Sequence, residues 1–452
     1  MDQVQPIARV AARLQAGETS SVELVQEAFA RATDAAGEGK RVFTRLYPDA
    51  IESASEQDRL RSRGVIASPL AGIPISIKDL FDVAGETTLA GSKALVGYPP
   101  APRDAEVVAR LKKAGAVIIG KTNMTEFAFS GLGLNPHYGT PRNPWNRECG
   151  RIPGGSSSGA AVSVTDGMAV AAIGTDTGGS VRIPAALCGL VGFKPTASRV
   201  PKEGVLPLSW TLDSVGPIAP SVACCALLDA VLAGERVEAS ESISLNSLRF
   251  AVPQRYVLDG MDAHVAAAFE RAKSRLSASG ARIVEIAFAE LEELPEINAK
   301  GGFAAAEAWA WHKDLIAARG ELYDPRVLTR IMRGRDINAD DVETLRQRRV
   351  AFISRARQVT SAFDALITPT VPIVAPEIAP LEASDDVYHR TNLLVLRNTV
   401  IANFLDRCAL SLPCHEPGTP PVGLMLVGEH GTDRRLLGIG LSIEKALGAV
   451  HK

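Results

Sequence analysis

The sequence is poor in the residues that would mark several functional classes. Aromatic residues make up only 5% of its 452 positions, too few for rows of rings on which nucleobases could stack. Its 49 Lys and Arg nearly balance 51 Asp and Glu, leaving a formal charge of −2. That balance creates no field to attract nucleic acid or an anionic membrane, and neither is expected as a partner. The six cysteines, Cys149, Cys188, Cys224, Cys225, Cys408 and Cys414, form no Cys-x-x-Cys pair, and the histidines fall at no zinc-ligand spacing. No metal and no cofactor is expected. Scattered thiols in so long a chain read as free and buried in a reducing compartment. No apolar run reaches the roughly 18 residues of a membrane span. The opening segment, MDQVQPIARVAARLQAG, lacks the apolar stretch and cleavage site of a secretory leader. A cytoplasmic location is expected.

What the chain does have is ordinary globular composition, 46% hydrophobic and 22% charged, enough for a large core. It is organised around residues 152–184. Two small-residue turns lie there, Gly154-Gly155-Ser156-Ser157-Ser158-Gly159 and Thr177-Gly178-Gly179-Ser180. Glycine lets backbone approach closely, and serine brings a hydroxyl that donates, accepts or attacks. A lone Gly/Ser stretch usually reads as a linker. Here a packed spacer, residues 160–173, separates two such turns, and Val181-Arg182-Ile183-Pro184 leads on into apolar sequence. Two hydroxyls held in one small site is the better reading.

Upstream, Gly72-Ile73-Pro74-Ile75-Ser76-Ile77-Lys78-Asp79 reads as a turn and a strand. Alternation puts Ser76 and Lys78 on one face. On its own Lys78 reads as a lysine on a solvated face.

Together these blocks resemble the signature of the amidase signature hydrolases. The resemblance lies in the paired Gly-Gly-Ser turns and their spacing, in Asp176 before the second turn, in the Ser-Val-Arg-Ile-Pro exit and in the lysine block. Thr165 departs from the small residue expected in the spacer. Matching blocks run from about residue 18 to 445, including Gly192-Phe193-Lys194-Pro195-Thr196 and Leu212-Asp213-Ser214-Val215-Gly216-Pro217. The resemblance implies an α/β fold, a central mixed, mostly parallel twisted β-sheet covered by helices on both faces. It also implies one amidase domain over residues 1–452, with a signature core at about 65–220. A less typical helical region at about 221–364 is where substrate-specific elements could sit. Locally, a helix is expected over 4–16, and a capping box at Ser20 and Glu23 opens a second. A helix at 104–114 is followed by a buried strand at 116–120, as in α/β chains. Further strands are expected at 249–253, 282–286 and 366–370, and the blocks 409–413 and 421–428, running to a closing helix, again resemble the family.

By the same resemblance, Ser180 is the nucleophile, Ser156 the bridging serine and Lys78 the base. The peptide before Ser156 is implied to be cis. Backbone amides of Thr177, Gly178, Gly179 and Ser180 form the implied oxyanion hole. The arrangement is chemically coherent without histidine. A serine must lose its proton to attack, a lysine can take it only when neutral, and burial can make it so. Ser157, Arg182 and Asp176 are expected to hold the turns. Arg182 lies close enough in sequence to greet a substrate carboxylate, yet reads as a structural arginine. Trp210, Leu212, His137 and Tyr138 are candidates for contact with substrate, with packing or surface placement equally open.

The leading expectation is an amidohydrolase cleaving a small or medium carboxamide through an acyl-enzyme. The alternative is the glutaminase A subunit of a tRNA-dependent amidotransferase, which resembles Lys121-Thr122-Asn123-Met124-Thr125-Glu126-Phe127. The following Ser130-Gly131-Leu132-Gly133-Leu134-Asn135-Pro136-His137 departs from the polar stretch expected there in that alternative. A catalytically silent binding protein fits less well, since Lys78, Ser156 and Ser180 are all present. The run Gly155-Ser156-Ser157-Ser158-Gly159 also satisfies the nucleophile elbow, G-x-S-x-G, but no strand is expected before it. A homodimer is expected by analogy alone.

Overall fold

The computed structural model describes residues 4–448 except 239 and 247. Eleven strands form one sheet. They are β1 (Phe43–Leu46), β2 (Pro74–Lys78), β3 (Val117–Thr122), β4 (Ala171–Asp176), β5 (Val191–Lys194), β6 (Ser214–Ala219), β7 (Arg249–Pro253), β8 (Arg282–Ile286), β9 (Ala365–Pro369), β10 (Ala409–Pro413) and β11 (Gly423–Val427). Their order across the sheet is β1-β3-β2-β4-β6-β5-β10-β11-β9-β7-β8.

The mixed α/β sheet is as expected, but parallel pairing makes up less of it. β2 runs parallel to β3 and β4, and β7 parallel to β8 and β9. The other six pairings are antiparallel. Physically, β10 and β11 are joined by a short connection, which permits only antiparallel pairing, and β6 returns against β4. Every residue of β2, β3 and β4 is buried, so both faces of the sheet are covered there. The two edge strands, β1 and β8, are part-exposed and carry Arg45, Arg282 and Glu285, charges that blunt an open edge.

The first helix, Ile7–Gln15, turns Ile7, Val10 and Leu14 onto the core. Ser20 and Glu23 make the expected capping box and open the helix Ser21–Thr33. Five thiols are buried and free, while Cys149 is free but exposed, against the expectation.

The region after residue 300 builds a helical wall. Helices Gly302–Arg319, Pro325–Met332 and Ala339–Thr360 stand beside Asp385–Leu396 and Val400–Phe404. Phe352 from the longest of these meets Phe404 edge-on with ring centroids 5.4 Å apart. Both pack with Phe303, Ile401 and Met425.

Phe352 is fully buried, so Phe352→Ala is expected to cost about 3–5 kcal/mol. Urea unfolding checks this, through a lower midpoint at unchanged slope.

Candidate active site

Lys78 ends β2. Its neighbour β4 runs parallel, with Ile77 opposite Ile173. That register lays the carboxyl ends of the two strands side by side, where open sheets commonly bind ligands. Lys78 Nζ therefore reaches Thr175 Oγ1, to which it donates at 2.9 Å. It also donates to Ser156 Oγ at 2.7 Å. Ser76, on the same face as expected, hydrogen-bonds Ser163 Oγ at 2.8 Å.

Lys78 has no exposed surface. Burial strips its ammonium of water and pulls its pKa down to about 7, although Asp213 and Asp176 pull the other way.

Ser156 comes from the first turn, just ahead of the helix Ser158–Thr165. The Gly155–Ser156 peptide is cis, as the resemblance implies. A Cβ on Gly155 would lie 2.5 Å from the backbone nitrogen of Gly133, so only glycine fits. No strand precedes Ser156: residues 147–149 form a 3-10 turn. That removes the nucleophile-elbow reading.

The second turn hangs on Asp176, the last residue of β4. Its carboxylate accepts the amides of Gly179 at 2.9 Å and Val181 at 3.1 Å. It also accepts Arg182 Nε at 3.0 Å, Arg182 Nη2 at 2.8 Å and Asn403 Nδ2 at 2.9 Å. Burial alone would raise its pKa; Arg182, Lys194 and Asn403 outweigh that and hold it down to about 2. Arg182 is fully buried and also donates to Asn403 Oδ1 and Thr399 O. It is a structural arginine, and its guanidinium is not free for substrate. Gly179 sits at φ +134°, where a Cβ would fall 2.2 Å from Thr399 Oγ1.

The antiparallel pairing of Asp176 with Ser214 brings Asp213 beside the same turn. Asp213 accepts the Thr177 hydroxyl and the amides of Leu208 and Ser209. Burial lifts its pKa to about 6 against the pull of those hydrogen bonds.

Ser180 follows the turn and leads into the helix Arg182–Cys188. With Thr177 and Gly178 it lines a cavity of about 570 Å³. The hydroxyls of Ser156 and Ser180 are not hydrogen-bonded to each other; the turns are joined by Ser157 N donating to Ser180 O at 3.3 Å. Gly179 N–H is committed to Asp176, whereas the amides of Gly178 and Ser180 have no protein acceptor among the described residues.

Leu212 lines the cavity but Trp210 does not, and Trp210 is half-exposed. His137 Nε2 sits 2.9 Å from Glu126, and Tyr138 donates to Ser92 O at 3.4 Å. Neither lines the cavity. Sequence reading missed Thr175 as a partner of Lys78, and the wall opposite Ser180. That wall comes from Phe129, Phe303, Phe404 and several arginines of the late helices, whose local pattern is that of any amphipathic helix.

The site thus holds a buried lysine hydrogen-bonded to one serine turn at the carboxyl ends of parallel strands, and a second serine turn over a cavity. Residues 23–437 match the family model described as Amidase. The chain is 39% identical to the 2-amino-5-chloromuconic acid deaminase of Comamonas testosteroni, over 89% of this chain and 87% of that protein. It is 35% identical to the A subunit of the glutamyl-tRNA(Gln) amidotransferase of Symbiobacterium thermophilum, over 95% and 94%. A solved amidase structure superposes with a TM-score of 0.88 at 33% identity, covering 98% of this chain and all of that one. The chain belongs to the amidase family, and it is a hydrolase of carbon–nitrogen bonds. No described helix is long and apolar enough to cross a membrane.

Arg182→Met leaves the Asp176 carboxylate buried beside an apolar side chain. A loss of about 3–5 kcal/mol is expected for such a broken buried pair, read by urea unfolding. Because Asp176 titrates below its ordinary value of 3.8, its contribution is present above that pH and fades as pH falls toward 2. In the variant this acid-labile part is absent.

Proposed function

We propose that the chain hydrolyses a carboxamide of small or medium size through an acyl-enzyme on Ser180, with Ser156 as relay and Lys78 as base. The observation that carries this is the fully buried Lys78, 2.7 Å from Ser156 Oγ, with its pKa drawn down to about 7. At neutral pH a large share of Lys78 can therefore accept a proton.

In this reading Ser180 Oγ attacks the carbonyl carbon. Its proton passes to Ser156, whose own proton passes to Lys78 Nζ. Thr175 keeps Nζ aimed at the relay. Catalytic hydrogen bonds often tighten only once substrate is seated, and the relay needs that closure between Ser156 and Ser180. The carbonyl oxygen, now an anion, takes donors from the turn 177–180, where the amides of Gly178 and Ser180 lack protein acceptors among the described residues. One such donor is typically worth about 3 kcal/mol in the transition state. As the C–N bond breaks, the proton returns from Lys78 through Ser156 to the leaving nitrogen. Water then attacks the ester and gives a proton to the same base; the bond between the acyl carbon and Ser180 Oγ breaks as that proton returns through Ser156 to Ser180 Oγ, and the acid departs. The deaminase relative favours ammonia as the leaving group.

The second reading, a glutaminase of an amidotransferase complex, rests on the 35% identical amidotransferase relative. The two readings separate in one assay. Ammonia release would be followed over glutamine, asparagine, malonamate, biuret and a long-chain amide, with and without partner subunits. Turnover of a non-glutamine amide by the isolated chain supports the first reading. Glutamine hydrolysis that needs added subunits supports the second.

Ser180→Ala is expected to lower turnover by about 10⁴-fold or more, measured on the amide the panel selects. The pH profile of kcat/KM should fall on the acid side with an apparent pKa near 7, because protonated Lys78 cannot accept. Asp213→Asn removes a negative charge that raises the lysine's pKa, so that limb should move to lower pH.

A further inference from the structure

Tyr256 holds a backbone conformation that suits glycine. Its φ is +69°, and Val257 N donates across it to Arg255 O at 2.8 Å. That is a γ-turn of the rare, strained kind. A bulky residue at positive φ is an outlier, since glycine is the usual occupant. Such conformations persist where the surroundings over-determine them, and they gather at ligand sites.

The segment after the helix Asp385–Leu396 fixes this turn. Arg397 donates to Asp259 O at 2.7 Å and to Val257 O at 3.1 Å. Asn398 Nδ2 donates to the same Val257 O at 3.0 Å. Asp259 Oδ2 accepts the Tyr256 N–H at 3.2 Å. With the turn so held, Tyr256 lines the same cavity as Ser180.

Aromatic residues are only 5% of the chain, yet four of them, Phe129, Tyr256, Phe303 and Phe404, line this one cavity. Four other cavities share a single ring among their described lining residues, that of Tyr47. Each of the four rings also has a guanidinium over it. Arg330 lies 4.7 Å from the centre of the Phe129 ring and Arg397 5.9 Å from that of Tyr256. Arg349, which does not line the cavity, lies 5.7 Å from the Phe303 ring and 5.8 Å from the Phe404 ring.

The negative face of a ring attracts cations. Here arginines already supply them and hold the ring planes in place. What the rings offer a substrate is therefore flat apolar surface. A flat unsaturated group covers such a surface by offset stacking, whereas a saturated, puckered group touches it with fewer atoms.

We propose that Tyr256 is a specificity-determining residue of this site, and that the acyl group it selects is flat and unsaturated. The proposal rests on the amidohydrolase reading for turnover; the selection itself is a matter of binding. Aryl and conjugated amides are preferred over saturated amides of the same carbon skeleton.

Cinnamamide and 3-cyclohexylpropanamide share one carbon skeleton and differ in flatness. Binding of each to the full-length Ser180→Ala protein is measured by calorimetry. Cinnamamide is expected to bind about three- to tenfold tighter, the scale of one stacked pair of rings. Tyr256→Leu in the same background keeps bulk but loses the ring, and should remove most of that preference; Tyr256→Phe should keep it. Urea midpoints check folding and also test the turn. Tyr256→Gly should unfold at higher urea than Tyr256→Ala, the reverse of the usual order, because glycine is at ease at this φ. In the enzyme with Ser180 intact, Tyr256→Leu should raise KM for cinnamamide with kcat little changed, a split that a merely structural tyrosine would not give.

Equal binding of the two amides, tighter binding of the saturated one, or no measurable binding of cinnamamide would each overturn the proposal. So would a Tyr256→Leu protein that keeps the preference, or an alanine variant more stable than the glycine variant. A Tyr256-dependent preference for cinnamamide with no turnover of any amide by the wild-type chain would uphold the selection and count against Ser180 as nucleophile. Amide turnover without that preference would overturn the selection and leave the amidohydrolase reading standing.

Discussion

A lysine with no exposed surface and no carboxylate against its ammonium is a demanding thing to fold around. Among the described residues Lys78 is met by two hydroxyls, Ser156 and Thr175. Each is in reach for a different reason. Thr175 arrives through the parallel register of β2 and β4, and Ser156 through a turn that closes on Gly133. Burial lowers the lysine's proton affinity, and two carboxylates, Asp213 and Asp176, restrain the fall. Of these, Asp176 is already met by Arg182, which leaves Asp213 as the less compensated influence. The tuning of the base is therefore linked to the strand pairing that delivers Asp213 to the end of β4.

The second organising element is the carboxylate of Asp176. It gathers two backbone amides of the serine turn, the Arg182 guanidinium and the Asn403 amide into one buried cluster. Asn403 lies 227 residues further along the chain. Thr399, from the same late segment, donates to Gly178 O at 2.6 Å. The turn carrying Ser180 is thus shaped by its own strand and by the wall facing it. Buried ion pairs contribute little net stability compared with apolar packing, but losing one partner is expensive. This cluster accordingly fixes geometry more than it adds stability.

Much of this was legible in the sequence. Strands at 249–253 and 282–286 lie where their patterns put them. The capping box opens its helix at Ser21. β1 was not read, because four residues at an edge, with Arg45 turned to solvent, carry no alternation to detect. β5 is as short and contains Gly192. Lys78 shows why a motif outweighs a periodicity. As a residue type it reads as exposed, and only the block around it pointed inward. The parallel share of the sheet was overestimated because local patterns mark strands but not their neighbours. Arg330 was unreadable for a related reason. On the helix Pro325–Met332 it resembles any solvated arginine, and its stacking on Phe129 depends on packing between segments far apart in the chain.

The division of labour in the cavity has a consequence for how the protein can change. The reacting side of the cavity, residues 177–180, rests on a sheet whose strand ends are fully buried. The opposite side is made by helices after residue 300, which touch that machinery at few polar points, among them Thr399 and Asn403. Replacements along the rest of that wall can redraw the chemical preference of the cavity while the proton path stays as it is. Thr399 and Asn403 are the exceptions. They belong to both halves at once, so a lineage or a designer seeking a new substrate is free almost everywhere on the wall except at the residues that bolt it to the floor.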